Sequence, residues 1–370
     1  VNAKVAEGAD VINLGQGNPD QPTYDHIVEA LCTSAHNPAS HKYSQFRSNR
    51  PFKEAATSFY KKHYGIDLDA EREICVTGGA KIGLVELPLA LMNPGDLLLL
   101  PDPGYPDYLS GVSLGRVTYE TFPLTAENDF LPDLEAIPEE TARRAKFIYI
   151  NYPNNPTGAV ATKAFYEKLI AWAKTYEVGV VSDLAYGALG YQGYENPSFL
   201  SVPGAKDVGI EFYTFSKTFN MAGWRLAFAA GNAEMVEALN LIQDHLFVGI
   251  FPALQDAGIA ALLDHKSEEA VAQLNAVYDS RRDAFTQAAA KIGWQAFPSK
   301  GSFYAWMPVP EGYTSESFAD LLLEKAHVAV APGKGFGPAG DAYVRIGLLV
   351  EPERLVEAVN RIADLHLFDY

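Results

Sequence analysis

The sequence has almost no cysteine: two in 370 residues, Cys32 and Cys75. Two thiols cannot build a disulfide framework in a chain this long, and no CxxC pair or Cys/His cluster has zinc-ligand spacing, so no metal site is expected. That scarcity fits a reducing compartment, and the cytoplasm is the expected location. Long hydrophobic runs are missing as well. The most apolar stretch, LPLALMNPGDLLLLP, is interrupted by Asn-Pro-Gly-Asp, and nothing approaches transmembrane length. Positive charge is scarce: 29 basic against 46 acidic residues give a formal net charge of −17. A surface this acidic repels phosphate backbones and anionic lipid, which argues against nucleic acid and membranes as partners. There is no GxxxxGK(S/T) phosphate loop, no repeat and no low-complexity linker. The first residue is a valine rather than methionine, so a preceding segment is expected, and the absence of a leader excludes nothing.

What is present is an ordinary globular balance, 48% hydrophobic and 20% charged, in a chain long enough for two domains. Short β-rich runs ending in Gly, Pro, Asn or Asp recur: EICVTGG (73–79), DLLLLPDPGY (96–105), KFIYINYPNNPTG (146–158), VGVVSDLAYG (178–187), IEFYTFSK (210–217) and LAFAAGN (226–232). Amphipathic segments such as KAFYEKLIAWAKTYE (163–177) lie between them. This alternation predicts an α/β fold with a mostly parallel sheet sandwiched by helices, whose ligands bind beyond the carboxyl ends of the strands. After about residue 262 the pattern changes to a long helix (about 265–292), strands at GSFYAWMPV, VAVAPG and YVRIGLL, and a terminal helix from Pro352. We therefore expect a large domain over 23–261 and a smaller α+β domain built from 1–22 and 262–370, with the opening strand VINLGQG joining the latter.

The unusual residues sit at the ends of the β-rich runs. Lys217, in YTFSKTFNMAGWR, follows an apolar strand. A lysine is ordinarily a solvated surface charge, but one partly buried at such a strand end has a lowered pKa and a nucleophilic lone pair suited to an aldehyde. Asp183 and Tyr186, in VVSDLAYG, read either as a helix N-cap and packing, or as a carboxylate for a pyridine nitrogen and a phenol for a ring oxygen. Asn155, in NYPNNPTG, belongs to an ordinary turn or donates to the same ring oxygen. Gly79, Ala80 and Lys81 stand between a strand and a helical run, where backbone N–H groups and a helix N-terminus favour a phosphate. Arg225 adds a guanidinium and Thr214 a hydroxyl to that anion site. Tyr105, in PDPGYPDY, either packs or stacks on a planar ring. Arg345, in YVRIGLL, is a guanidinium inside an apolar strand; it needs a structural carboxylate or an anionic ligand, and its fork suits a substrate α-carboxylate.

In order, NPTG, D-x-x-Y, SK and an Arg eight residues on resemble the class I/II (fold-type I) aminotransferases that use pyridoxal 5′-phosphate (PLP), from about Val11 to the C-terminus. That resemblance implies a seven-stranded, mostly parallel sheet. It implies that Lys217 carries the cofactor and shuttles a proton, that Asp183 partners the pyridine nitrogen, and that Asn155 and Tyr186 partner the phenolic oxygen. Gly79, Ala80, Lys81 (through its backbone), Thr214 and Arg225 match phosphate-binding positions, Tyr105 the stacking aromatic, and Gly17 and Arg345 the substrate-carboxylate positions, with Asn155 also expected at the substrate. Tyr43, in HKYSQFRS, matches a tyrosine that reaches the partner subunit's phosphate, which implies a homodimer with shared active sites.

The phrases NLGQGNPDQPT, MNPGD, PDPGYPDY, GAKDVGIEFYT and PEGYTSESFADLLLEKA are most similar to a methionine-salvage branch. Its members convert 2-oxo-4-methylthiobutanoate to methionine with glutamine or another neutral amino acid as donor. Aromatic-amino-acid and N-acetyl-diaminopimelate transaminases look similar, and a PLP-dependent cysteine-S-conjugate β-lyase shares the same residues. No second arginine for a side-chain carboxylate is identifiable. A ligand-sensing regulator on the same fold needs a DNA-binding module, which neither the charge nor any helix-turn-helix supports.

Overall fold

The computed structural model describes residues 1–246 and 248–368; Phe247 in the expected large domain and Asp369 and Tyr370 at the end of the expected small one lie outside them. Among the described residues twelve strands follow in chain order: β1 (Ile12–Asn13), β2 (Ile74–Thr77), β3 (Leu97–Asp102), β4 (Thr118–Pro123), β5 (Ala145–Asn151), β6 (Gly179–Asp183), β7 (Gly209–Thr214), β8 (Ala227–Gly231), β9 (Tyr304–Pro308), β10 (Val328–Ala329), β11 (Ala331–Pro332) and β12 (Tyr343–Gly347). Seven of them form one sheet in the order β2-β8-β7-β6-β5-β3-β4, with β8 antiparallel to β2 and β7 and all other pairs parallel. The fold is α/β, as expected, with smaller sheets beside the main one.

Six of the seven strands coincide with the β-rich runs. The seventh, β4, was not among them. It sits at the sheet edge, and of TYETFP only Phe122 is buried, so it has no apolar periodicity to betray it. The interior strands β3 and β7 are buried at every position, which is what cover on both faces demands. One face packs on an aromatic cluster of Phe52, Tyr60, Tyr213, Phe215 and Phe228, all fully buried. Deleting one such ring costs about 3–5 kcal/mol.

Parallel register places several carboxyl ends at one rim. Asn151 stands opposite Asp183, and Asp183 opposite Phe212, two residues short of Thr214. Outside the main sheet, β9 and β11 flank β12, so Arg345 pairs with Trp306 on one side and Ala331 on the other. VAVAPG, read above as one strand, is two: β10 pairs in parallel with β1, whereas β11 joins β12. The long helix His265–Lys291 and the terminal helix Pro352–Ala363 pack together, and the latter buries Leu355, Ala358, Val359 and Ile362 along one face. No helix among the described residues is long and apolar enough to cross a membrane.

Candidate active site

A cavity of about 330 Å³ opens at the carboxyl ends of β5, β6 and β7. Of the residues singled out in the sequence, all but Gly79 and Tyr43 line it: Gly17, Ala80, Lys81, Tyr105, Asn155, Asp183, Tyr186, Thr214, Lys217, Arg225 and Arg345. A larger cavity of about 720 Å³, between the Arg50–Tyr64 helix, the His265–Lys291 helix and the loop after Tyr186, contains none of them.

Lys217 lies on the short helix Phe215–Thr218 that follows β7. Its Nζ donates to the Gly17 carbonyl (2.8 Å) and lies 5.6 Å from the Phe303 ring centre. Burial, with the nearby guanidinium charges of Arg345 and Arg225, brings its pKa down to about 8. Asp183 ends β6 and is buried; Oδ2 accepts from the Tyr108 hydroxyl (2.8 Å), while Oδ1 has no partner among the described residues. Burial pushes this carboxyl up to about 6, against the opposing pull of the Tyr108 hydrogen bond and the Lys217 charge.

Glu211 on the adjacent strand shows what a structural buried carboxylate looks like. It accepts from Ser182 Oγ, Ser198 Oγ, the Phe199 N–H and the Tyr60 hydroxyl, at 2.5–3.0 Å. Every lone pair facing the core is used. Asp183 Oδ1 is left over, with no donor for it among the described residues.

Opposite this carboxylate end lies an anion cradle. The helix Ala80–Leu91 begins at Gly79, whose φ of 103° favours glycine, and a Cβ there would meet Arg225 Nη2 at 2.5 Å and push the guanidinium aside. Lys81 does not spend its ammonium on the cavity but pairs with Asp107 at 2.8 Å, so its contribution to an anion is through the backbone. The Thr214 hydroxyl caps the short helix, accepting from the Ser216 N–H and donating to Ser216 Oγ. That leaves the Ser216 hydroxyl proton free, a group the sequence reading passed over.

At the third corner, Arg345 is buried and no acidic side chain among the described residues pairs with it. Nη1 donates to Asn155 Oδ1 (2.8 Å), Nη2 to the Gly15 carbonyl (3.2 Å), and Nε has no partner. Of the two alternatives open for this arginine, the structural carboxylate is therefore absent. Asn155 commits its Oδ1 to Arg345, leaving its Nδ2 to donate into the cavity. The hydroxyls of Tyr186 and Tyr304 share a hydrogen bond of 3.2 Å, and burial first, then the Tyr304 neighbour, holds Tyr186 well above the ordinary phenol range, so it stays protonated. A Cβ on Gly17 would meet the Tyr304 hydroxyl at 2.6 Å, which keeps that position glycine.

Tyr108, Asn151, Tyr304 and Phe336 are site-building residues that sequence reasoning missed. Asn151 holds the Asp183 carbonyl through Nδ2 and the Asn155 N–H through Oδ1, both at 2.8 Å. Its signal was available, as the first asparagine of NYPNNPTG. Tyr304 and Phe336 lie with ring centres 4.2 and 4.7 Å from the Arg345 guanidinium carbon.

The donor set fits a phosphorylated pyridine aldehyde: amine, orphan carboxylate oxygen, two ring-oxygen donors, and the Arg225 guanidinium with the helix start at Ala80 and Lys81 all face one cavity, with Gly79 packed directly behind Arg225. Comparison with known proteins decides the family. Residues 9–362 match the family described as aminotransferase class I and II. The chain belongs to the class I and II aminotransferases. This aminotransferase is 57% identical, over its whole length and 92% of the relative's, to L-glutamine–4-(methylsulfanyl)-2-oxobutanoate aminotransferase of Bacillus subtilis. It is 46% identical, over 98% of its length and 93% of the relative's, to LL-diaminopimelate aminotransferase of Moorella thermoacetica. Among solved structures, substrate-bound BacF from Bacillus subtilis superimposes with a TM-score of 0.94 at 47% identity, covering 99% of this chain and 93% of the other.

Proposed function

We propose that this aminotransferase holds PLP in the 330 Å³ cavity and exchanges an amino group between a neutral amino acid and a 2-oxo acid, with 2-oxo-4-methylthiobutanoate and glutamine as the favoured pair. The observation that carries the reading is the placement of Lys217, the orphan Asp183 Oδ1 and an Arg345 without a carboxylate partner around one cavity. When bound, PLP supplies an aldehyde carbon for amines and a ring that draws electron density from the substrate α-carbon. Asp183 Oδ1 would hold the proton on the ring nitrogen. Asn155 Nδ2 and the Tyr186 hydroxyl would donate to the ring oxygen, and Tyr105 would pack against the ring. Ala80, the Lys81 backbone, Ser216 and Arg225, with Gly79 at the helix start, would hold the phosphate. Arg345, oriented by Asn155, grips the substrate carboxylate, and neutral Lys217 Nζ takes and returns the α-proton.

The lowered Lys217 pKa gives this a pH signature. Only the neutral amine attacks an aldehyde, so capture of PLP by the apo-protein speeds up as pH rises and levels off above about 8. Stopped-flow absorbance checks it; a rate still climbing toward the ordinary lysine value of 10.5 contradicts the placement.

A neutral substrate side chain is favoured because the cavity offers no spare cation. Apart from Arg225 and Arg345, its basic residues are Lys217 and the Asp107-paired Lys81. The relative named for glutamine and 4-(methylsulfanyl)-2-oxobutanoate supports the same choice. The test is a single-turnover screen of the PLP-loaded protein against glutamine, methionine, phenylalanine, aspartate and kynurenine. Methionine or glutamine is expected to react at least about tenfold faster than aspartate, equivalent to about 1.4 kcal/mol. Aspartate as the fastest donor overturns the assignment.

The proposal includes a homodimer in the cytoplasm and a two-domain division. Tyr43 is 88% exposed and Phe46 67%, on a segment whose Ser44 packs at Gly249, beside the exposed Phe251. Ile250 in turn lies against Gly78 next to the phosphate cradle, so this apolar face borders the site, as a shared active site requires. The small unit, 1–22 with 262–370, is supported by Ile12 and Leu14 packing with Phe285, Val328 and Leu355 in a cluster of their own, while Leu262 and Trp306 pack into the main-sheet core where the two units meet.

A further inference from the structure

Between β11 and β12 the chain makes a loop, 333–342, that carries Phe336 to the Arg345 guanidinium. At one end the loop is tied near the start of the helix Ser315–Leu321: the Lys334 N–H donates to Ser315 Oγ (3.1 Å), which donates to Asp341 Oδ1 (2.7 Å). Its other ties reach the main sheet. The Gly104 N–H donates to the Phe336 carbonyl (2.8 Å), and Asp102 Oδ1 accepts from the Ala339 N–H (3.0 Å). Asp102 is the last residue of β3, is buried, and among the described residues is the only main-sheet side chain hydrogen-bonded to this loop. Gly337 packs so closely on its carboxylate that any Cβ there would collide with Oδ1.

We infer that Asp102 is a positioning residue for carboxylate recognition: it latches loop 333–342 to the end of β3 and so holds Phe336 against Arg345. The inference rests on Arg345 as the carboxylate-binding group. Asp102 does not line the cavity and acts only through the loop. The physical effect is orientation. A guanidinium set against the rings of Tyr304 and Phe336, with Nη1 and Nη2 tethered to Asn155 and Gly15, loses its freedom to rotate while Nε stays unpartnered. An arginine fixed in advance gives up less entropy when an anion arrives. Loss of the latch leaves the Gly104 bond to the Phe336 carbonyl as the loop's remaining hydrogen bond to the end of β3, so Phe336 is placed less firmly and more of the fork's ordering falls to the ligand.

The experiment is calorimetric titration of the PLP-loaded protein with 4-methylpentanoate, a carboxylate with a neutral tail, and with its uncharged amide. Asp102→Ala and Phe336→Leu are expected to weaken carboxylate binding about tenfold, leaving amide binding and PLP content unchanged. Asp102→Asn, whose amide oxygen still accepts from Ala339, is expected to stay within about threefold of the parent. In turnover assays the alanine variant shows the same loss in KM with kcat little altered. A carboxylate affinity in Asp102→Ala within about twofold of the parent overturns the latch, as does an equal loss for the amide or failure of asparagine to rescue. Arg345→Gln in the same titration separates the two ideas. If it keeps carboxylate binding, the underlying reading of Arg345 is wrong; if it loses binding while Asp102→Ala does not, only the latch is wrong.

Discussion

Replacing Lys217 by alanine is expected to lower turnover by at least about 10⁴-fold, because in the proposed function one substitution removes both the group that tethers the cofactor and the base that moves the α-proton. No neighbour substitutes for it. The only other lysine at the cavity, Lys81, has its ammonium held by Asp107 at 2.8 Å. Folding survives the change. The variant loses one hydrogen bond to the Gly17 carbonyl, a loss of about 1 kcal/mol, and sheds a cation that burial and two nearby guanidinium groups already disfavour. Steady-state assays paired with thermal melts check this, and retention of more than about 1% of turnover contradicts the role given to Lys217.

Asp183→Asn is expected to separate activity from stability. An amide cannot hold a ring-nitrogen proton as a carboxylate does, so turnover falls by about 10²- to 10⁴-fold. The apo-protein, in contrast, becomes more stable. The Asp183 carboxyl rises from its ordinary 3.8 to about 6 on folding, so the native state binds its proton more tightly than the unfolded chain. Stability from this group is then intact below its ordinary pKa and is lost as pH climbs toward 6. At neutral pH the deficit is about 3 kcal/mol. Asparagine does not titrate and can still accept from the Tyr108 hydroxyl. The melting-temperature gap between variant and parent should therefore open between about pH 4 and 6 and stay open above. A variant less stable than the parent at neutral pH shows that Asp183 is structural. Burial raises the Glu211 carboxyl as well, but four donors oppose that rise, whereas Asp183 has the Tyr108 hydroxyl alone and one oxygen left over.

Much of the site was legible because it is built at strand ends. Asp183, Thr214 and Lys217 each interrupt or end an apolar run, and a polar residue where a buried strand stops has few bland explanations. Arg345 was legible as a charge inside an apolar strand. Tyr304 was not: an aromatic in GSFYAWMPV carries the same signal whether it packs in a core or lies on a guanidinium. Phe336 was hidden likewise, in a glycine-rich loop whose path depends on contacts with β3 more than two hundred residues away. The edge strand β4 escaped because its exposed residues do not alternate, and the break within VAVAPG because each half is only two residues long. Tyr43 remains a matter for the assembly, since it faces outward from a single chain.

The central claim is that Lys217 is the amine that bonds the cofactor. Borohydride reduction of the PLP-loaded protein, followed by digestion and mass spectrometry, tests it directly. One pyridoxyl group on the peptide containing Lys217 is the expected result. A label on any other lysine, or a protein that takes up PLP and yields no covalent label, contradicts it.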